Sequence, residues 1–361
     1  MKVFHCDHCG NLLFFENTVC LHCQRRVAFM PDLGVVGSLE LDPTDPGTWR
    51  SPLPRAAEQG YRLCRNYSVE EVCNWTASAA AGGLCLSCNL TQVVPDLSQP
   101  GAKAAWYRLE TAKRRLVYTL SNLGLPLANR VAEPERGLAF EFCADSLDGS
   151  VRVITGHANG VITINVAEAD DAERERRRTS LHEPYRTLLG HMRHESGHYY
   201  WGRLIAPDAA SLAACREVFG DERVDYAAAL KQHYASGPCA QWQDRFISAY
   251  ATSHAWEDWA ETWAHYLHIV DTLEMAAHCG LSLKPQRWNE PTLPARPPVA
   301  PGRGEFDGIM DAWLPVAYLL NNLNRGLGLP DAYPFVLSPT VIDKLRFVHD
   351  TVQRGEHAAP R

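Results

Sequence analysis

No uninterrupted apolar run of 18 residues occurs in this sequence, so it offers no candidate membrane-spanning helix and no membrane partner is expected. Charged residues are sparse at 21% against 46% hydrophobic, which excludes a disordered or fibrous chain. Grouped positive charge is missing from the cysteine-rich N-terminal part too. The first 100 residues hold seven Lys and Arg against ten Asp and Glu, and the whole chain carries a formal charge of −7. Polyanion binders neutralise phosphates with clustered Lys and Arg, so nucleic acid is not an expected partner. The opening segment MKVFHCDHCGNLL lacks an apolar core ahead of its first cysteines, and a cytoplasmic location is expected.

What the chain has instead is cysteine. Of its 12 cysteines, eight lie in the first 88 residues of a 361-residue sequence, long enough for one catalytic domain and a smaller module. Disulfides do not persist in a reducing cytosol, so such a cluster reads as metal-binding. Cys6, Cys9, Cys20 and Cys23 form CxxC-x10-CxxC, in which two knuckle turns present four thiolates to one zinc ion. Cys64, Cys73, Cys85 and Cys88 make a looser set that closes a second four-cysteine site. Four thiolates satisfy zinc completely, so both sites are expected to be structural, with His5, His8 and His22 only flanking the first. Cys143, Cys215, Cys239 and Cys279 have no partner in register and read as core thiols.

After residue 98 the composition changes. Apolar spacing predicts a helix within 102–125, then short strands, with residues 161–166 alternating in the manner of an edge strand. Residues 169–201 read as helix in two pieces broken near Pro184, the ERERRR run being a solvated helix end. Further helices are expected at 209–219, 222–234, 240–250 and 256–278, and two more follow the proline-rich stretch 284–301.

Within this helical part lies His194-Glu195-Ser196-Gly197-His198. HExxH on a helix places both histidines on one face, where they bind one zinc ion, and sets the glutamate beside the metal's water as general base. Gly197 allows a neighbouring group close approach. A catalytic zinc needs a third protein ligand, and downstream Glu257, Glu261, His265 and His268 share one helical face opposite a stripe of tryptophans. Asp258 is the rival ligand; His191, His254, His265 and His268 read as supporting or core residues.

At this point the chain resembles the gluzincin metallopeptidases. By that resemblance Glu257 is the third ligand and Glu261 the acid that orients a zinc histidine, matching their Glu-x-x-x-Asp/Glu. A tyrosine seven residues before the ligand glutamate marks the anthrax lethal factor subgroup, which implies that Tyr250 donates to the oxyanion. Over nearly its whole length the chain resembles the bacterial zinc-binding metallopeptidases with an N-terminal zinc ribbon. The resemblance runs through LCRNYSVEEVCNW, EPYRTLLGHMRHESGHYYW and SAYATSHAWEDWAETWAHYLHIVDTLE to NRGLGLPDAYPFVLSP.

The expected fold is therefore α+β: a zinc-ribbon module over residues 1–98, then a mainly helical gluzincin-like domain with a small sheet over residues 101–361. The expected function is a zinc-dependent peptidase with one catalytic and two structural zinc ions, acting on a peptide or protein. A protein partner engaged through the ribbon is the further expectation. The alternative is a noncatalytic zinc-binding protein that uses the ribbon to recruit a regulatory partner.

Overall fold

A computed structural model describes the chain except for residues 1, 57–58, 78–82, 147, 149, 175, 177–186, 294–304 and 359–361. The predicted helix break at Pro184, part of the ERERRR run and much of the proline-rich stretch lie outside the described residues. The chain opens with hairpin β1 (Phe4–His5) and β2 (Leu12–Leu13), followed by the antiparallel sheet β3 (Arg26–Met30), β4 (Val35–Leu41) and β5 (Trp49–Arg50). The two CxxC turns are built alike. Cys6 N–H reaches the carbonyl of Asn11 and Gly10 N–H that of Cys6; Cys20 N–H reaches Arg25 and Gln24 N–H that of Cys20. Each knuckle needs a left-handed residue in its fifth position, supplied by Gly10 at φ 73° and by Gln24 at φ 58°. A second small hairpin, β6 (Arg62–Leu63) with β7 (Thr76–Ala77), carries Cys64 and Cys73, and Cys85 and Cys88 follow it.

The ribbon does not end where its cysteines end. Strand β8 (Thr91–Val93) follows Cys88 and pairs in parallel with β9 (Ala139–Cys143), so helix α1 (Ala102–Asn122) is the crossover of a βαβ unit. The sheet is completed by β11 (Val161–Asn165), parallel to β9, and by β10 (Gly156–Ala158), antiparallel to β11, in the order β10-β11-β9-β8. The strand expected at the edge, 161–166, is thus interior. Asn159 and Gly160, both at positive φ, turn the chain back, and the edge falls on three residues too few to show alternation.

Helix α2 (Leu188–Tyr200) is capped by Thr187, whose hydroxyl accepts from Gly190 N–H at 2.9 Å, and runs into a wider turn over Trp201–Ile205. Then come α3 (Ala209–Phe219) and α4 (Tyr226–Ser236), each begun by an aspartate cap, Asp208 and Asp225. No helix spans the predicted 240–250; Gln241 adopts φ 54°, and only short turns at Trp242–Asp244 and Tyr250–Thr252 form. Helix α5 (Ala255–His278), capped by His254, is the central element, flanked by α6 (Phe306–Gly326) and α7 (Pro339–Ala358). No helix among the described residues is long and apolar enough to cross a membrane.

Helices α2 and α5 touch at Gly197. Trp259 Nε1–H donates to the Gly197 carbonyl at 2.9 Å, Trp263 Nε1–H to Ser196 Oγ at 3.0 Å, and the Tyr200 ring stacks on Trp263 at 5.0 Å. A Cβ at position 197 meets the Ala260 Cα at 2.9 Å, a backbone atom that cannot step aside. Gly197→Ala gains about 1 kcal/mol of helix propensity but overpacks this contact at a cost of about 1–3 kcal/mol. The net expectation is a destabilised protein, read as a lower urea midpoint; a midpoint at or above that of the unchanged protein argues against backbone contact here.

Candidate metal centres

The two cysteine sets converge as their spacing predicts. Sγ–Sγ separations are 3.7 Å for Cys6 and Cys23, 3.6 Å for Cys9 and Cys20, and 3.7 Å for Cys73 and Cys85. A tetrahedral zinc tetrathiolate with bonds near 2.3 Å has edges of about 3.8 Å, so these separations suit zinc and are far too long for a disulfide. Within each set, Cys6, Cys9, Cys20, Cys23 and Cys64, Cys73, Cys85, Cys88, all four sulfurs lie within 4.8 Å of one another. Backbone N–H groups of Trp75, Cys85 and Cys88 point at Cys73, Cys64 and Cys85 sulfurs. Of the other four cysteines, Cys215 is buried and Cys143 half-buried, while Cys239 and Cys279 are exposed; the core reading fails for the last two. They lie in the turn after α4 and at the end of α5, where nothing packs over them.

The third cluster joins α2 to α5. The i, i+4 spacing puts His194 and His198 on the face of α2 that meets the first turn of α5, and Glu257 rises from that turn. Glu257 Oε2 is 3.0 Å from His194 Nε2 and 3.5 Å from His198 Nε2, close to the edges of about 3.3 Å that ligand bonds near 2.0 Å give. Glu257 is 1% exposed, yet this oxygen accepts no well-directed hydrogen bond. Buried polar atoms are normally satisfied, and the orphan points between two imidazoles. These donors fit a zinc ion.

The surroundings fix this geometry. Glu261, one turn beyond Glu257, accepts from His194 Nδ1–H at 2.6 Å, and Ser248 Oγ–H donates to its other oxygen at 2.6 Å. Tyr226, from α4, donates its O–H to Glu257 Oε1 at 2.7 Å, leaving Oε2 to face the histidines. Burial alone depresses an imidazole, but hydrogen bonds and charge from Glu257 and Glu261 raise His194 well above its ordinary pKa. Glu257 is held well below the carboxylate range despite burial, by the two imidazoles. The cluster favours positive charge.

Glu195 is buried on α2. The Tyr250 ring lies 5.9 Å from that of His194, and its hydroxyl is pushed far up by burial and by Glu257, so it stays a donor. Asp258 turns the other way, to Lys344 Nζ at 2.5 Å. His191 faces Glu168, His254 caps α5, His265 meets the Tyr333 hydroxyl and His268 meets Arg193, so none of the four joins the cluster.

Sequence reasoning missed Tyr226, Ser248, Trp256 and His157. The Trp256 ring lies 4.0 Å from that of His198, and His157, on edge strand β10, stacks near the same ring at 6.4 Å. Trp256 stood beside the proposed ligand and was readable; the others arrive from distant segments with no local pattern.

Comparison with known proteins agrees with this geometry. Residues 102–351 match the family described as "Putative zinc-binding metallo-peptidase", and residues 3–99 match a zinc-ribbon domain. Uncharacterized proteins of Mycobacterium tuberculosis and Mycobacterium bovis are 44% identical over 353 residues, covering 98% of this chain and 95% of theirs. No solved structure matches it significantly. The chain therefore belongs to the zinc-binding metallopeptidase family, with a zinc ribbon at the N-terminal side of its metallopeptidase region.

Proposed function

We propose that this protein is a gluzincin-type peptidase that hydrolyses peptide bonds at the His194, His198 and Glu257 centre, with Glu195 as general base. The observation that carries the reading is the convergence of these three donors from two helices, with a buried glutamate between the histidines on α2. A zinc ion held there supplies Lewis acidity and brings the pKa of water toward about 7.

The chain's own groups do the remainder. Glu195 takes a proton from the attacking water and returns it to the leaving amine. The Tyr250 O–H donates to the oxygen on which negative charge develops. Tyr226 holds Glu257 by one oxygen, and Glu261 holds the His194 ring in the tautomer that leaves Nε2 free to ligate. The β10 edge, running past the cluster at His157, offers backbone groups for an extended substrate. Three zinc ions in all, one catalytic and two structural, complete the proposal. The reducing cytoplasm is the compartment in which eight metal-binding cysteines persist.

A partner bound through the ribbon remains the second reading. It is favoured by Leu12, Phe14 and Leu21, apolar residues beside the first cysteine set that are 49%, 67% and 78% exposed.

With a quenched-fluorescent peptide library as substrate, Glu195→Gln is expected to retain all its zinc and lose roughly 10²–10⁴-fold in turnover. Undiminished hydrolysis rules Glu195 out as the base, and a native chain that cleaves nothing favours the noncatalytic alternative. Glu257→Ala should lose one zinc ion of three by elemental analysis; retention of all three removes it as a ligand. The two tyrosines separate by readout. Tyr250→Phe is expected to lower kcat by roughly 10²-fold with zinc affinity unchanged. Tyr226→Phe should instead weaken zinc at this centre about 10–100-fold in chelator competition, with kcat largely recovered in excess zinc. The reverse pattern exchanges their roles.

A further inference from the structure

Helix α1 carries three charged side chains that are almost wholly inaccessible, Glu110 and Lys113 at 0% and Arg114 at 1% exposed. Two of them satisfy each other. Lys113 Nζ lies 2.9 Å from Glu110 Oε2 and also bonds Thr91 Oγ1, while Glu110 Oε1 accepts from Thr91 Oγ1 at 2.8 Å and from Trp106 Nε1 at 3.4 Å. Arg114 has no such partner. Its guanidinium donates to the carbonyl of Val72 at 2.5 Å and to Thr111 Oγ1 at 3.1 Å, its Nε–H meets nothing, and no carboxylate pairs with it among the described residues.

A buried cation without a counter-ion is strongly disfavoured, so the compensating charge has to be found nearby. Val72 immediately precedes Cys73, and the charges of Cys73, Glu110, Cys88 and Cys85 all act on Arg114, Glu110 being already paired with Lys113. Four thiolates around a divalent ion carry a net charge of about −2. Glu110 and Lys113 cancel, so Arg114 is the positive group left to face that centre. The Glu110 carboxylate does approach Cys88 Sγ, at 3.9 Å, but Lys113 sits on it.

We propose that Arg114 is the counter-ion of the second four-cysteine zinc centre, and that occupancy of this centre clasps the ribbon to the metallopeptidase region through α1. The contacts around Arg114 follow the same line: Arg115 pairs with Glu16, and the Tyr118 ring packs against Phe15 and Phe29 of the ribbon at 5.4 and 5.7 Å. Metal supply is thereby coupled to the integrity of the catalytic fold at a centre that performs no chemistry. The inference does not rest on the peptidase reading and stands whether or not the protein cleaves peptides.

The test uses the full chain loaded with zinc, challenged with EDTA, alkylated with iodoacetamide and read cysteine by cysteine by mass spectrometry. Arg114→Met is expected to expose Cys64, Cys73, Cys85 and Cys88 about 10–100-fold faster than in the unchanged protein, with Cys6, Cys9, Cys20 and Cys23 as the internal control. Arg114→Lys, which keeps the charge, should restore most of the protection. Equal alkylation rates in the native chain and Arg114→Met, or no rescue by lysine, overturn the proposal. If Arg114→Met does not fold, the lysine variant and a second measurement on the native chain decide. Stripping zinc from the second set should raise amide exchange across 102–122, and unchanged exchange there overturns the clasp.

Discussion

Everything chemical in this protein depends on how closely α2 and α5 approach. Two histidines on one helix and a glutamate on another share one ion only if the helix axes are held to within a fraction of an ångström, and here the backbone at Gly197 lies against that of Ala260. The tryptophans lock this distance from both sides. Ala260 and Trp263 fill the space that a side chain at 197 would take, and Trp259 and Trp263 tie their indole N–H groups to α2 itself. A core of aromatic rings is stiff because each ring has few rotamers and a large contact area. That stiffness is what a metal site requires of its support.

Around this contact each carboxylate has its own hydroxyl partner. Glu257 has one oxygen toward the histidines and one held by Tyr226; Glu261 has one toward His194 and one held by Ser248. The Tyr226 and Ser248 hydroxyls each fix one oxygen of a carboxylate, and Glu261 cannot swing away without leaving the buried Ser248 donor unsatisfied. The four elements involved are α2, α4, the turn before α5 and α5.

Those parts of the site that follow from local spacing are legible in the amino-acid sequence alone. The two CxxC pairs and HExxH place ligands within a single turn, so the sequence interval is itself the geometry. Glu257 and Glu261 stand out by their shared helical face, but their separate roles and that of Tyr250 come only from family resemblance; in the fold Glu257 and Glu261 both approach His194, and the Tyr250 ring lies beside it. Tyr226 is not legible in this way, because its contact depends on how α4 folds back over 31 residues. Edge strand β10 escapes sequence reasoning, and β11 is misassigned to the edge, for the same reason: a three-residue strand has no measurable period, and its place in a sheet is a tertiary fact. The helix expected at 240–250 fails because its apolar residues serve the turns before α5 and not a helical face.

The βαβ unit shared by the ribbon and the sheet also has a bearing on how the chain is made. Strand β8 leaves the ribosome some 46 residues ahead of the strand it pairs with, counting Val93 to Ala139. Until β9 emerges, the last strand of the ribbon has no neighbour. Parallel pairing across such a separation is slow because the loop must close before any contact rewards it. The nascent protein therefore passes through a stage in which the strand edge of β8 that β9 will cover is open to other chains.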